Sequence, residues 1–567
     1  MKHIDELSSY CRPFSSRLQL GLVVQGVFLG MCAGGLITLY RLTLDFMEDF
    51  VLNLSKLMHA HLYILGIWLV VCVLLGLCLY ELIAHIPNIK GAGIDCACAE
   101  IKGALSMKST KTLLAKFLAG SMCAFGGLSL GREGPSVQLG ALMGKVIAEH
   151  APHTHLRTRL FMTCGAAAGM AAAFHAPLTG TLFALEEIHK QFQPALLIAA
   201  MISSITADFV VSSVFGVAPV LSFHFIRDLN HRYYLFIVIL GIVCGLIGAV
   251  HNKGMFFIQE HVYTHLDAVH PALKFICAFL IGAGIIYAAP WLVCGGGQIF
   301  SYLKDTHGLS LSFIAFLLIG KYLATASAFG SGAPGGTLFP LCAMGACTGA
   351  LFGVFAAQFL GLPHVYVVNF IVLGIAGLFA SVVRAPVTAV VLAFELTGSF
   401  SALLAVSIVA ILSYVCANLT KVEPFYEHLT DRLLERIAYE KSVHVDEISS
   451  HRKKGSVLKG LLHEASLSDE APRVSLRSFV VGIKSAIDGK LIQEVDWPDN
   501  VRVLMIVRAG KNILPSGHTR IQSLDELVMT FLSDTEADDN QKLNDLVRAS
   551  FTKNSIGNHE THFPTGV

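Results

Sequence analysis

Arg132 and Glu133 stand side by side between a charge-free stretch, Phe117–Gly131, and an apolar run that opens with Gly134-Pro135. A charge at bilayer depth costs about 2.5–3.5 kcal/mol on insertion scales, so an intramembrane carboxylate is a functional candidate by default. Pro135 suits the first turn of a helix, where its missing N–H costs nothing, and Gly131 and Gly134 let backbone approach a ligand closely. The motif predicts a helix N-terminus inside the membrane whose unpaired N–H groups face a cavity, and such an end attracts anions. A carboxylate is itself an anion. Glu133 can therefore fill the anion site while charged and leave it when protonated, which would couple proton movement to anion movement. The competing reading, a structural ion pair with Arg132, is awkward because consecutive helical residues point in different directions.

Glu186 and Glu187 end a second charge-free run that begins at Leu160. Adjacent carboxylates face different sides of a helix, so one reads as structural and the other as reachable from solvent; the plain alternative is a pair of membrane-boundary charges. Gly330–Pro340 (GSGAPGGTLFP) is too rich in Gly and Pro for ordinary helix. It reads as a re-entrant loop with N–H groups open to a cavity. Gly91-Ala92-Gly93-Ile94 is a second such loop or a plain turn. The histidines of 150–155 (HAPHTH) read as a solvated connection rather than a metal clamp, and no cysteine spacing suggests a metal.

The elements that must position these groups are membrane helices. The 567 residues are 54% hydrophobic and 14% charged, against about 25% charged in soluble proteins. A net charge of +1 gives no reason to expect a nucleic-acid partner. Charge-free runs recur from Leu18 to Thr420, and Tyr322–Val383 holds no Asp, Glu, Lys or Arg. Several runs are too short or too broken for one span of about 20 residues, which argues for tilted and re-entrant helices lining a cavity. The chain also repeats itself. At an offset of 209, Gly165/Gly374, Ala176/Ala385, Pro177/Pro386, Thr179/Thr388 and Glu186/Glu395 are identical; at 205, Gly131/Gly336, Pro135/Pro340, Gly140/Gly345 and Gly144/Gly349 match. Two related halves with helices interrupted at matching places suggest a secondary transporter with its site between them. Glu186 is matched by Glu395, which favours a structural role for both. Glu187 is matched by Leu396, so it is the better proton port.

After Lys421 charges become frequent. Residues 1–17 read as a short polar segment, 421–440 as a helix leaving the membrane, 441–472 as a linker and 534–567 as a polar tail. Between the last two, residues 473–533 read as a compact α/β module. Its expected strands are Ser478–Ser485, Val501–Arg508, Asn512–Pro515 and Thr519–Ile521, with a helix over Ser523–Leu532.

GREGP at 131–135, GGTLFP at 335–340, APLTGTLFALEE at 176–187 and PFY at 424–426 resemble the CLC family of chloride channels and chloride/proton antiporters, over roughly residues 18–440. The resemblance implies an all-α polytopic membrane protein with two inverted repeats, about 18–226 and 233–440. It also implies a homodimer with a pore in each subunit, a multi-pass place in the cell (inner) membrane among its lipids, and cytoplasmic termini. By it Glu133 is the outer gating glutamate and Glu187 the internal proton glutamate. The anion rests against Ala92, Gly93, Ile94, Gly134, Leu338, Phe339 and Tyr426, while Arg132 and Glu186 are structural. The first loop departs from the family's GSGIP: Ala92 supplies no hydroxyl and Asp95 replaces the proline. Residues 473–533 resemble the RCK-C or TrkA-C module, which implies a dimeric regulatory domain able to take a small ligand such as a cyclic dinucleotide. The expected function is exchange of chloride, or a similar small anion, for protons without a cofactor. The alternative is a passive voltage- or ligand-regulated chloride channel of the same fold. No HExxH motif is present, and GLSLG at 127–131, which has the GxSxG spacing, falls inside the charge-free run before Arg132 and is not read as an enzyme's nucleophile turn.

Overall fold

The computed structural model describes residues 16–437, apart from gaps at 151–154, 191, 218–222, 224, 226–228 and 399–401. It also describes 474–532, apart from 483–484, 499–500, 509–510 and 524, together with Leu543 and Leu546. Residues 1–15 of the expected 1–17 segment, the expected linker at 441–472, part of the HAPHTH stretch and nearly all of the tail lie outside the described residues. The chain divides into two units, residues 1–101 with 107–429, and 102–106 with 430–567.

The first unit is helical. Its first half holds α1 (Ser16–Ala60), α2 (Leu62–His85), α3 (Ile94–Ile101), α4 (Ser109–Phe125), α5 (Glu133–Glu149), α6 (His155–Phe174), α7 (Pro177–Phe183) and α8 (Pro194–Phe215). The second holds α9 (Tyr234–Phe257), α10 (Tyr263–Val269), α11 (Leu273–Ala288), α12 (Gly297–Lys304), α13 (Leu311–Gly330), α14 (Leu338–Phe359), α15 (Val367–Val383), α16 (Pro386–Thr397) and α17 (Leu403–Leu419). A further helix, α18, covers residues 425–437. Among the described residues, seven helical stretches are long and apolar enough to cross a membrane. The outward side of α2 carries Leu62, Ile67, Val70 and Leu74. A helix apolar on its exposed face as well as its buried one belongs in lipid. This is a multi-pass integral membrane protein.

The repeat is visible helix by helix: α3 to α8 recur in the same order as α12 to α17. In each half two helices cross at glycines. A methyl on Gly140 would collide with the Gly165 carbonyl, and one on Gly345 with the Gly374 carbonyl. Membrane helices without a hydrophobic drive to associate gain from such small-residue contact. It brings together α14 and α15, whose apolar stretches are each 83% buried.

The matched glutamates cap each other's half. Glu395 on α16 accepts from the backbone N–H groups of Leu178 and Thr179 at the start of α7, both at 2.8 Å, and from the Thr179 hydroxyl at 2.5 Å. Glu186 accepts from the N–H groups of Val387 (3.3 Å) and Thr388 (2.8 Å) at the start of α16 and from the Thr388 hydroxyl (2.7 Å). Each carboxylate sits where helix N-terminal N–H groups lack internal partners.

The second unit contains a four-stranded antiparallel sheet, β1 (Val474–Val480), β2 (Val501–Arg508), β3 (Lys511–Ile513) and β4 (Glu526–Leu532), in the order β1-β4-β2-β3. The helix expected over Ser523–Leu532 is instead strand β4. Leu527 and Met529 are fully buried while Val528 and Thr530 between them are not, which is the period of a half-buried strand. Ser523 does not cap a helix: its hydroxyl donates to Asp488 at 2.5 Å. Thr519–Ile521 forms only a single bridge, Leu491 to Arg520, and β1 ends at Val480, earlier than expected. Asp525, fully buried, receives Arg508 through two bonds of 2.7 Å.

Candidate functional site

Three glycine-rich loops meet where the two halves join. Gly131 and Gly336 exchange both backbone hydrogen bonds, each 2.7 Å. Gly91 donates to the Gly332 carbonyl (3.0 Å) and accepts from Gly335 (3.2 Å). The loops can approach this closely because side chains are missing: a methyl on Gly134 would lie 2.8 Å from the Ala92 carbonyl oxygen. Two helices begin at this junction, α5 at Glu133 and α14 at Leu338.

Glu133 is fully buried there. Its carboxylate lies against Gly336 and faces the backbone N–H of Phe339 at the start of α14. Neither oxygen has a hydrogen-bond partner of ordinary geometry among the described residues. A charged group in a dry place without a firm partner is costly, so this position suits a group that comes and goes. Arg132 turns away to Asp45, 3.2 Å distant, and its guanidinium stands 5.5 Å from the centre of the Phe339 ring.

The junction gathers most of the expected anion contacts. Ala92, Gly93, Ile94, Gly134, Leu338 and Phe339 are all buried in or beside it. Tyr426, also buried, points its hydroxyl at Thr337, which precedes α14, across 3.5 Å. Its ring is held edge-on by Phe183 and Phe425. One expected donor is engaged elsewhere: the Gly93 N–H donates to Asp95 Oδ1 at 3.0 Å. Asp95 thus takes up a backbone donor of the loop.

Glu187 is not at the junction. It lies in a π-helical turn, Ala184–His189, and is buried. Helices α5 and α6 run antiparallel, since Gly169 faces Ser136 and Gly144 faces Phe161. His189 meets Thr163, early in α6, at 3.1 Å. This places the turn toward the end of the α5–α6 pair opposite Glu133. Lys190, left-handed at φ 56°, ends the turn and pairs with Glu427 at 3.4 Å.

Two lysines escaped the sequence reading. Lys116 and Lys321 are fully buried. Lys116 donates to the carbonyls of Ile89 (2.9 Å) and Gly91 (2.8 Å), and Lys321 to those of Leu292 (3.1 Å) and Cys294 (2.7 Å). They are related by the same offset of 205 that pairs the glycines. Each tethers the loop that precedes a short helix, α3 or α12, and places a cation beside the junction. The signal was present, because each lysine stands alone immediately before a charge-free run.

A family model described as voltage gated chloride channel matches residues 71–418, and one described as TrkA-C domain matches residues 476–537. The H(+)/Cl(-) exchange transporter ClcA of Cronobacter sakazakii is 30% identical over 370 residues, covering 64% of this chain and 78% of that protein. The protein of the same name from Vibrio parahaemolyticus is 28% identical over 428 residues, covering 73% and 90%. Among solved structures, a slow cyanobacterial Cl-/H+ antiporter is similar with a TM-score of 0.69 and 22% identity, covering 73% of this chain and 98% of that one. A eukaryotic CLC transporter is similar at 0.61 and 22%, covering 73% and 74%. These structural likenesses show a shared fold.

Proposed function

The chain belongs to the voltage-gated chloride channel family, and from that premise we propose that it is a secondary active antiporter, exchanging chloride or a similar small anion for protons. The observation that carries the reading is the Glu133 carboxylate, buried among three loops at the start of α14 with no ordinary hydrogen-bond partner. Anions favour helix N-termini, and a carboxylate lodged at one stands where a halide would rest. Protonation removes its charge and lets the halide replace it. Glu187, buried toward the opposite end of the α5–α6 pair, serves as the second proton group. Retention of an acid there favours exchange over passive conduction, and the names of the curated relatives point the same way.

In this reading the anion is held by Ala92, Ile94, Gly134, Leu338, Phe339 and Tyr426, with Gly93 contributing once Asp95 releases its N–H. Arg132 and Glu186 hold the frame. The chain works as a homodimer in the inner membrane with both termini cytoplasmic. Residues 18–440 form the transport domain, 441–472 a linker and 473–533 a regulatory module that takes a small ligand of the cyclic dinucleotide kind. The test is reconstitution in liposomes with a chloride gradient. The parent protein is expected to drive protons uphill, while Glu133→Ala and Glu187→Ala each lose proton movement and keep chloride flux. Chloride flux without proton movement in the parent protein would overturn the proposal in favour of the channel.

A further inference from the structure

The Glu133 carboxylate opens onto a cleft of about 240 Å³ whose lining includes Asp45, Glu48, Arg132, Gly335 and Phe339. A mouth built only to admit halide has no use for carboxylates, because like charges repel across a low-dielectric space. Asp45 is accounted for by its ion pair with Arg132 at 3.2 Å. Asp49 is exposed and lies outside the lining. Glu48 is the remaining carboxylate beside Glu133 itself. It comes from α1, and its Oε1 rests over the first residue of α12: a methyl on Gly297 would lie 3.1 Å from it. The charged groups acting on Glu48 are Arg132 and Lys321, which attract it, and Asp45 and Asp49, which repel it; Glu133 and Cys294 share the cleft.

We infer that Glu48 is a proton station, passing protons between the solution and Glu133 through the water of this cleft. The inference rests on the antiport reading above. Glu133 is fully buried, so a proton from solution reaches it by way of the cleft that it lines. A second carboxylate in the cleft gives the proton a place to stop. The protonated Glu48 carboxyl gives its proton to a water, that water gives one to the Glu133 carboxylate, and Glu48 becomes charged again. Solution then reprotonates it, and the reverse sequence empties Glu133. No bond other than O–H is made or broken. Relay through water is within the repertoire of positioned acid–base groups, and both carboxylates line the same cleft. The anion meanwhile is drawn by Lys321 and Arg132, so one cleft serves both ions.

The test uses the full-length protein in liposomes, with chloride and proton fluxes recorded together across a range of symmetric pH. Coupled exchange in the parent protein establishes the premise; its absence would sink the antiport reading before Glu48 is tested. Given coupling, Glu48→Gln is expected to slow coupled turnover roughly a hundredfold, the low side of what positioned proton transfer contributes. It should flatten the pH profile, with the chloride KM unchanged or lowered as one repulsive charge leaves the cleft, and Glu48→Asp should restore part of the rate. In a Glu133→Ala background, where chloride moves without protons, adding Glu48→Gln should no longer slow chloride flux. A Glu48→Gln variant with an altered chloride KM and the parental pH profile would assign Glu48 to charge balance and overturn the inference. Unchanged turnover would overturn it as well. Should Glu48→Gln fail to fold, the pH profile of Glu48→Asp decides: a profile identical to the parent's, at undiminished rate, counts against the relay.

Discussion

At the level of single residues, the first loop holds the most direct test of the proposed anion site. Ala92 brings no hydroxyl to the junction, and Asp95 draws the Gly93 N–H to itself across 3.0 Å. In the proposed site both features leave fewer donors for the anion. A hydrogen bond to a charged partner contributes about 1.5–3 kcal/mol, so each donor returned should be measurable. Asp95→Ala is expected to free the Gly93 N–H and tighten chloride binding by roughly tenfold, the equivalent of about 1.4 kcal/mol. Isothermal titration of chloride into detergent-solubilised protein checks it. Weaker binding in the variant would mean that the Asp95 carboxylate holds the loop in shape and does not compete for it. The buried cations enter here too. Lys116 and Lys321 each hold two carbonyl oxygens, so they fix loop shape as well as supplying charge.

At the level of helices, the reciprocal caps are the clearest expression of the internal repeat. Glu186 and Glu395 each bind the exposed N–H groups at the start of the other half's proline-led helix. Anionic groups at helix N-termini contribute about 0.3–1 kcal/mol when exposed and up to about 2 kcal/mol when partly buried. Glu395→Gln and Glu186→Gln should therefore each lower thermal stability without uncoupling proton from chloride movement. A fluorescence-detected melting series beside the liposome assay separates the two effects, and loss of coupling in Glu186→Gln would argue for a role in transport. This pairing was partly legible beforehand, because Glu186 and Glu395 coincide in the repeat while Glu187 has no counterpart. What spacing could not reveal is that the matched carboxylates reach across to the opposite half, since the repeat gives correspondence and not contact. Strand β4 shows the complementary failure. Ser523 followed by acidic and apolar residues reads as a capped helix, yet burial of Leu527 and Met529 at period two set the outcome.

Across the whole molecule, the motifs at 131–135, 176–187 and 335–340 were legible because glycine and proline in a charge-free chain have few other uses. Asp45 and Glu48 were not. They sit on α1, a long helix whose mixed composition resembles a boundary, and only folding brings them over the Glu133 cleft. The second unit has its own apolar core around Val481, Ile506, Leu527 and Met529. Ending the chain after residue 440 is accordingly expected to leave chloride/proton exchange near the parental rate and to abolish any response to added cyclic dinucleotide. Liposome flux measured for both forms, with and without the nucleotide, tests this; loss of basal exchange would show that the second unit is required for transport itself.

The mutual bonds between Gly131 and Gly336 carry a mechanical consequence. They stitch the two halves, one lobe to the other, into a rung where their loops meet. Swinging one lobe past the other would tear that rung at every cycle, whereas rotating one acidic side chain leaves it intact. Turnover in this protein should then respond little to solvent viscosity, and a covalent staple between the lobes beside the rung should be tolerated.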